Sequence, residues 1–297
     1  MVQKIITVFA GKGGVGKTTC AAATALNHAN RGQRTLIIST DPTPSLADIF
    51  EISGNSKATR VTDSLYMHEL GMNEIKQMWE TRFGREVYEV FSSFVSIEYP
   101  EFVDFMTSIL PGLGDEFMLD YIRQLSLKDE TDVIIWDTAP LGQTLTLLGT
   151  PTLLRRHLRL APRIYSRLKV GPQSRQPVLE ILKRWEQLSR ANIDFLRHEV
   201  KFRAVMIAES LAVNQLKGVF AEMHKYGLQL DRLIVNNLVP ADGGAFLTGR
   251  AEQQKHYLKL IREIAPALPV TEIPLFPSEI KGLAMLNEFA GYLDRIC

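Results

Sequence analysis

Ile5-Ile6-Thr7-Val8-Phe9-Ala10, running into Gly11-Lys12-Gly13-Gly14-Val15-Gly16-Lys17-Thr18-Thr19, decides how the rest of the chain is read. The first six residues are apolar and rich in β-branched side chains, the composition of a buried strand. The loop after them fits G-x-x-x-x-G-K-[ST], and an alanine-rich helical stretch follows from Thr19 to Ala29. Strand, glycine-rich loop and helix in that order make a phosphate site. Gly11, Gly13, Gly14 and Gly16 let the backbone turn its N–H groups inward, forming an anion nest at a positive helix N-terminus. Val15 and Thr19 belong to the same binding stretch. Lys17 places a point charge on the β- and γ-phosphates, and the Thr18 hydroxyl can ligate Mg²⁺. A glycine-rich turn without a ligand is the competing reading, and the flanking strand and helix weigh against it. Lys12 is a second lysine inside the loop, which an ordinary P-loop does not require.

The 297 residues suffice for one large α/β domain or two smaller ones, and 45% of them are apolar. Lys and Arg total 34 against 33 Asp and Glu, so the balance argues against wholesale nucleic-acid binding. Cys20 and Cys297 stand at opposite ends of the sequence and suggest neither a disulfide framework nor a metal pair. Cys20 reads as a small buried hydrophobe in the helix after the loop. No apolar run approaches the ~18 residues of a membrane span, and the first strand begins too early for a signal peptide. The expectation is a soluble, cytoplasmic protein, not an integral membrane protein.

A second apolar run, Thr35-Leu36-Ile37-Ile38, ends near Asp41-Pro42-Thr43-Pro44-Ser45-Leu46-Ala47-Asp48. A carboxylate just past a strand's C-terminal end sits where open parallel sheets bind ligands, so Asp41 can reach the attacking water or the metal shell. Asp-Pro alone is also a turn signal. A third run, Asp132-Val133-Ile134-Ile135-Trp136-Asp137, is a Walker B arrangement in which Asp137 holds Mg²⁺ directly or through water. The segment after it, Thr138 to Thr144, can sense the γ-phosphate.

Two helical regions interrupt the alternation. Between Met72 and Leu127, helices are expected over Asn73–Phe94, Phe102–Ile109 and Asp115–Leu127, with Met72, Met78, Phe91, Phe105, Met106 and Met118 among their apolar residues. Helical core and an apolar client groove would use the same residue types. Pro151 to Glu199 is helical again, with a loop around Gly171–Pro177. Arg155, Arg159, Arg163 and Arg167 recur every fourth residue there; a solvated face and an acidic-partner or membrane surface are both open readings. Strands are then expected at Arg203–Ala208, Leu230–Asn236 and Val270–Phe276, with helices at Val213–Tyr226, Ala251–Ile264 and from Ser278 to the end. The six histidines show no ligand spacing.

Gly11–Thr19, Asp41–Asp48, Asp137–Leu145 and the tail segment Pro274–Gly282 together resemble the arsenite-pump ATPases and the guided-entry ATPases that deliver tail-anchored membrane proteins. The K-G-G-x-G-K-T loop is similar to the deviant Walker A group, whose members sandwich nucleotide between two subunits. The resemblance implies that Asp41 positions water, Asp137 lies at the metal shell, and Lys12 acts on phosphates held by a partner. It also implies that Glu209 and Asn236 contact the nucleotide, with Asn236 reading the adenine and Pro274 and Phe276 near the ring. Pro44 stands where the family usually has His, and Leu141 and Gln143 replace Thr and His of the second switch. Gly244 and Leu247 stand where relatives carry a C-x-x-C zinc pair, so no zinc is expected.

The fold expected is α/β, a doubly wound and mainly parallel sheet of P-loop topology. Residues 1–297 form a single P-loop ATPase domain with a helical subdomain from about 70–128 and 151–200. The function expected is a homodimeric ATPase using ATP and Mg²⁺, whose cycle binds and releases a hydrophobic client; the partners expected are a second copy and a hydrophobic client segment or a membrane receptor, with no nucleic acid. Rival readings are the motor of an arsenite or anion efflux pump, and a positioning ATPase of the cell-division or plasmid-partition type. The first lacks soft thiolates and the second lacks a basic or membrane-binding tail.

Overall fold

Strand formation follows the apolar runs closely. The computed structural model describes residues 4–41, 45–53, 58–71, 80–92, 96–103, 113–138, 148–152, 172–241 and 244–293, with positions 74, 77, 78, 142, 155, 156 and 159. Its strands are β1 (Ile5–Gly11), β2 (Thr35–Ser39), β3 (Thr59–Arg60), β4 (Leu65–Glu69), β5 (Val133–Asp137), β6 (Val200–Ile207), β7 (Leu230–Leu238) and β8 (Val270–Pro274). They lie in one sheet in the order β3-β4-β2-β5-β1-β6-β7-β8. Every neighbouring pair is parallel except β3 with β4. This is the expected doubly wound sheet. β3 was not foreseen, because two residues carry no periodicity.

All five residues of β2 and of β5 are buried, the pattern of strands covered on both faces. Alternation along the strands divides the core in two. On one side Phe9, Ile37, Ile135, Val205 and Ile234 pack with Ala22 and Leu26 of α1 (Lys17–Asn30) and with Leu286 and Phe289 of the last helix. On the other, Ala204, Met206, Leu233 and Val235 pack with residues of two later helices. The short helix after β2 is α2 (Leu46–Phe50).

Contacts divide the chain into two compact units. One holds the sheet and comprises Met1–Leu70, Lys128–Leu145 and Glu199–Cys297; the other comprises Gly71–Leu127 and Thr146–His198. In the second, a π-helical turn (Glu80–Gly84) leads into α3 (Arg85–Ser92), followed by α4 (Leu113–Leu127) and α5 (Pro172–His198). Residues 172–177, expected as a loop, open α5 instead. Pro172 takes the first helical position, where its missing N–H costs nothing. The sheet unit ends with α6 (Ser210–Lys225), α7 (Gly244–Ile264) and α8 (Gly282–Leu293). The glycine-containing stretch Ala241–Gly249 reads as a loop in the sequence but is helix from Gly244, and the last helix begins at Gly282 rather than Ser278.

Phe102 and Val103 are buried among Tyr88, Tyr99, Trp185 and Leu188, with the rings of Tyr88 and Phe102 5.3 Å apart. Met118 is also buried, at 6% exposure. It belongs to the core rather than to a client surface. Met72, Phe105 and Met106, the side chain of Phe91, and Pro44, Leu141, Gln143, Arg163 and Arg167 lie outside the described residues. Arg155 pairs with Glu186 at 3.8 Å. Among the described residues no helix is long and apolar enough to cross a membrane.

Among its described residues the helical unit contains a buried ion pair. Asp120 of α4 is 1% exposed and receives Arg123 Nη2 at 2.7 Å, while Arg123 Nε donates to Asn192 Oδ1 of α5 at 2.8 Å. Removing one partner of such a pair strands the other charge. Arg123→Met should therefore lower stability by about 3 kcal/mol in urea unfolding followed by circular dichroism. The double change Asp120→Leu with Arg123→Met should recover much of that loss, and a single variant as stable as the parent would contradict the assignment.

Candidate functional site

The parallel sheet brings the C-terminal ends of β1, β2 and β5 side by side. Phe9 registers with Asp137 across β1 and β5, and Ser39 with Asp137 across β2 and β5. The glycine-rich loop leaves β1 here, where β1 lies between β5 and β6 and the strand order reverses.

Two glycines in the loop are required by close approach. A Cβ on Gly11 would lie 2.3 Å from the Val205 carbonyl oxygen of β6. Gly16 has φ 94°, and a Cβ there would meet Asn236 Nδ2 at 2.4 Å. Gly16 is also the N-cap of α1, with no side-chain cap and no acidic residue in the first turn. The first amides of a 14-residue helix are thus left for an anion.

Lys17 is 6% exposed, and its Nζ donates to the Lys12 carbonyl oxygen at 3.0 Å. Burial pushes its pKa down, opposed by the charges of Asp137 and Asp41. Asp137 is fully buried. Its Oδ2 accepts from Ser39 Oγ at 3.5 Å, while Oδ1 has no hydrogen-bond partner. Burial raises its pKa to about 7, countered by the Thr18 hydroxyl and the Lys17 ammonium and reinforced by Asp41. A buried carboxylate oxygen without a donor, beside the hydroxyl of Thr18, fits a divalent cation or the water such a cation carries.

The end of β2 is fastened to the end of β5. The Thr40 amide donates to the Asp137 carbonyl at 3.0 Å, the Trp136 indole N–H to Thr40 Oγ1 at 2.9 Å, and the Asp41 amide to Ser39 Oγ at 3.3 Å. Thr138 Oγ1 donates to the Phe9 carbonyl at 2.7 Å. Lys17, Thr18, Asp41 and Asp137 are thereby brought together.

The other candidate residues fall on the β6 side of β1. Lys12 and Glu209 line a cavity of about 140 Å³ with Val205, Ile207, Leu211 and Ala212. Glu209, the N-cap of α6, pairs with Arg250 of α7 at 2.5 Å. Asn236 is 4% exposed, donates through Nδ2 to the Val15 carbonyl at 3.0 Å, and keeps Oδ1 buried without a donor. Gln254 of α7 holds the turn behind it, accepting from the Val239 amide at 2.7 Å and donating to the Asn237 carbonyl at 3.0 Å. Pro274 ends β8, and Phe276 packs on Phe289 and Tyr292. Ser39, Thr40, Trp136 and Gln254 were not singled out from the sequence. Each acts through one hydrogen bond or two, which leave no pattern in the chain.

The family profile described as anion-transporting ATPase matches residues 3–295. The chain is 29% identical over 295 residues to the putative arsenical pump-driving ATPase 2 of Aquifex aeolicus, spanning 96% of this chain and 97% of that one. It is 30% identical over 308 residues to the putative arsenical pump-driving ATPase of Chlorobaculum tepidum, spanning 96% and 74%. It is 28% identical over 304 residues to the ATPase get3 of Schizosaccharomyces pombe, spanning 96% and 89%.

The raised pKa of Asp137 has a definite sign. A carboxyl whose folded pKa lies above its unfolded value favours the folded state below about pH 4, and that contribution is lost as pH rises through about 7. The interval corresponds to on the order of 4 kcal/mol. With EDTA and no nucleotide, Asp137→Asn should gain stability over the parent by about that much between pH 4 and pH 8. Urea midpoints read this directly. A gap that stays constant with pH would place the charge in a better-solvated setting.

Proposed function

Since the chain belongs to the anion-transporting ATPase family and is an ATPase, we propose that it hydrolyses ATP with magnesium in a site completed by a second copy of itself, and that this cycle binds and releases an apolar client. The observation carrying the proposal is the convergence of Lys17, Thr18, Asp41 and Asp137 around the uncapped start of α1.

Each residue has a distinct task. The amides of Gly13 to Thr19 and the Lys17 ammonium hold the phosphates. Thr18 and Asp137 hold magnesium, which when bound offsets charge on the phosphate oxygens. Asp41 accepts a hydrogen bond from the attacking water and fixes its line of approach. Asn236 offers a buried acceptor that matches the exocyclic amine of adenine, whereas guanine presents an oxygen there and leaves two acceptors opposed. Pro274 and Phe276 flank the base. Lys12, which with Glu209 lines the cavity beside β6, acts in this reading on phosphates bound by the other copy.

The client reading rests on the resemblance to guided-entry ATPases. It rests also on the sequence positions of the helical insertions, which follow the two phosphate-facing segments. The motor of a metalloid pump is the second reading, favoured by the names of two relatives. Such pumps need soft thiolates, and Cys20 is completely buried in α1.

Asp41→Asn should keep ATP affinity and lose turnover by about 100-fold. Lys12→Ala should also lose turnover, and mixing it with Asp41→Asn should restore part of the activity, since one mixed site keeps both groups. Mixed dimers without recovery would overturn the trans role. Capture of a transmembrane-like peptide by the ATP-bound parent supports the client reading, and turnover stimulated by arsenite with no capture would favour the pump motor.

A further inference from the structure

Glu69 is the last residue of β4 and lies beside Ser39 of β2 in the parallel register. Its Oε1 accepts from the Leu46 amide at 2.7 Å and from the Ala47 amide at 3.3 Å. These are the first two residues of α2, and the helix has no side-chain cap of its own. A carboxylate from the neighbouring strand thus satisfies amides that the helix start leaves open. Glu69 is itself held in place, because the Leu70 amide donates to the Ser39 carbonyl at 3.0 Å.

The residue before α2 is Ser45. Its Oγ donates to Thr18 Oγ1 at 3.5 Å, in the glycine-rich loop's own helix. At that distance the two hydroxyls adjoin but lie beyond ordinary O–H···O bonding, so where Glu69 seats α2 decides whether the bond closes. Its direction matters more than its strength. A Ser45 proton placed on Thr18 Oγ1 would turn the proton of Thr18 toward the carboxylate of Asp137. One lone pair of Thr18 is left for another partner.

We propose that Glu69 and Ser45 are positioning residues for Thr18. Glu69 seats α2 through the Leu46 and Ala47 amides, and Ser45 orients the Thr18 hydroxyl toward Asp137 so that its oxygen is presented to magnesium. The proposal rests on the reading of Thr18 and Asp137 as the metal site. Neither residue touches the phosphates. Their loss therefore acts on metal affinity and on kcat, and leaves metal-free nucleotide binding as it was.

The test uses the full chain with saturating ADP and Mn²⁺ as a paramagnetic substitute, titrated by electron paramagnetic resonance. Ser45→Ala should weaken Mn²⁺ binding about 10-fold, and Ser45→Thr should restore it. Glu69→Leu should weaken it by a similar factor, while Glu69→Gln, which keeps an acceptor for the two amides, should fall between. The double change Ser45→Ala with Glu69→Leu should be no worse than either alone, since both act through one contact. ADP affinity in EDTA should be unchanged in all of them, and kcat should fall with KM for ATP nearly constant. If Glu69→Leu does not fold, Ser45→Ala and Glu69→Gln carry the test. Parent-like Mn²⁺ affinity in Ser45→Ala overturns the proposal, as does a Glu69→Leu protein that loses stability alone. A parent that binds no Mn²⁺ with ADP overturns the metal site as well, which separates the two failures.

Discussion

Asp137 places a carboxylate at the end of the central strand β5, where side chains and strands exclude water completely. An isolated buried charge is costly, and this one is offset only in part by the Thr18 hydroxyl, the Lys17 ammonium and a long contact from Ser39. The surrounding architecture reads as a set of constraints on that carboxylate. β1 and β2 flank β5, so their C-terminal ends deliver Lys17 and Asp41 to the same place. Thr40 and Trp136 lock the end of β2 to β5, which fixes the distance between the acids. Burial, reinforced by the charge of Asp41, raises the pKa of Asp137, and the two acids support the charge on Lys17 against burial. A divalent cation bound there would resolve that imbalance by supplying the missing positive charge.

A second constraint is steric. Gly11 packs on the Val205 carbonyl and Gly16 on the Asn236 amide, so the loop is held by β6 and by the end of β7. Asn236 is in turn fixed by its bond to the Val15 carbonyl and by Gln254 behind the turn. The glycine-rich loop and the end of β7 therefore share one strut. A change at Gln254, more than two turns into α7, reaches the glycine-rich loop through two hydrogen bonds and one strand end.

Most of this was legible where the chemistry is written in consecutive residues. Gly11–Thr19 gave both the loop and its neighbours, and the runs ending at Asp41 and Asp137 gave the strands that bracket it. Periodicity marked the helices but misjudged their starts. Ala241–Gly249 reads as a loop because of its glycines and the stretch around Gly171–Pro177 because of its prolines, whereas helix begins at Gly244 in the one and at Pro172, a tolerated first-turn proline, in the other. Met118 looked equally suited to a groove or a core, since composition cannot distinguish them, and burial assigns it to the core. Glu69, Ser45, Thr40 and Gln254 were invisible as functional residues. Their roles come from strand order and from single hydrogen bonds between segments distant in sequence.

The trans role proposed for Lys12 requires a second copy to complete each site. The most direct measurement is a crystal structure of the protein with Mg²⁺ and ADP–aluminium fluoride. A symmetric dimer is expected, in which Lys12 of each copy lies on the fluoride held by the other, with Asp41 beside the water in line. A monomer with Lys12 and Asp41 both engaging the same phosphate mimic would contradict it.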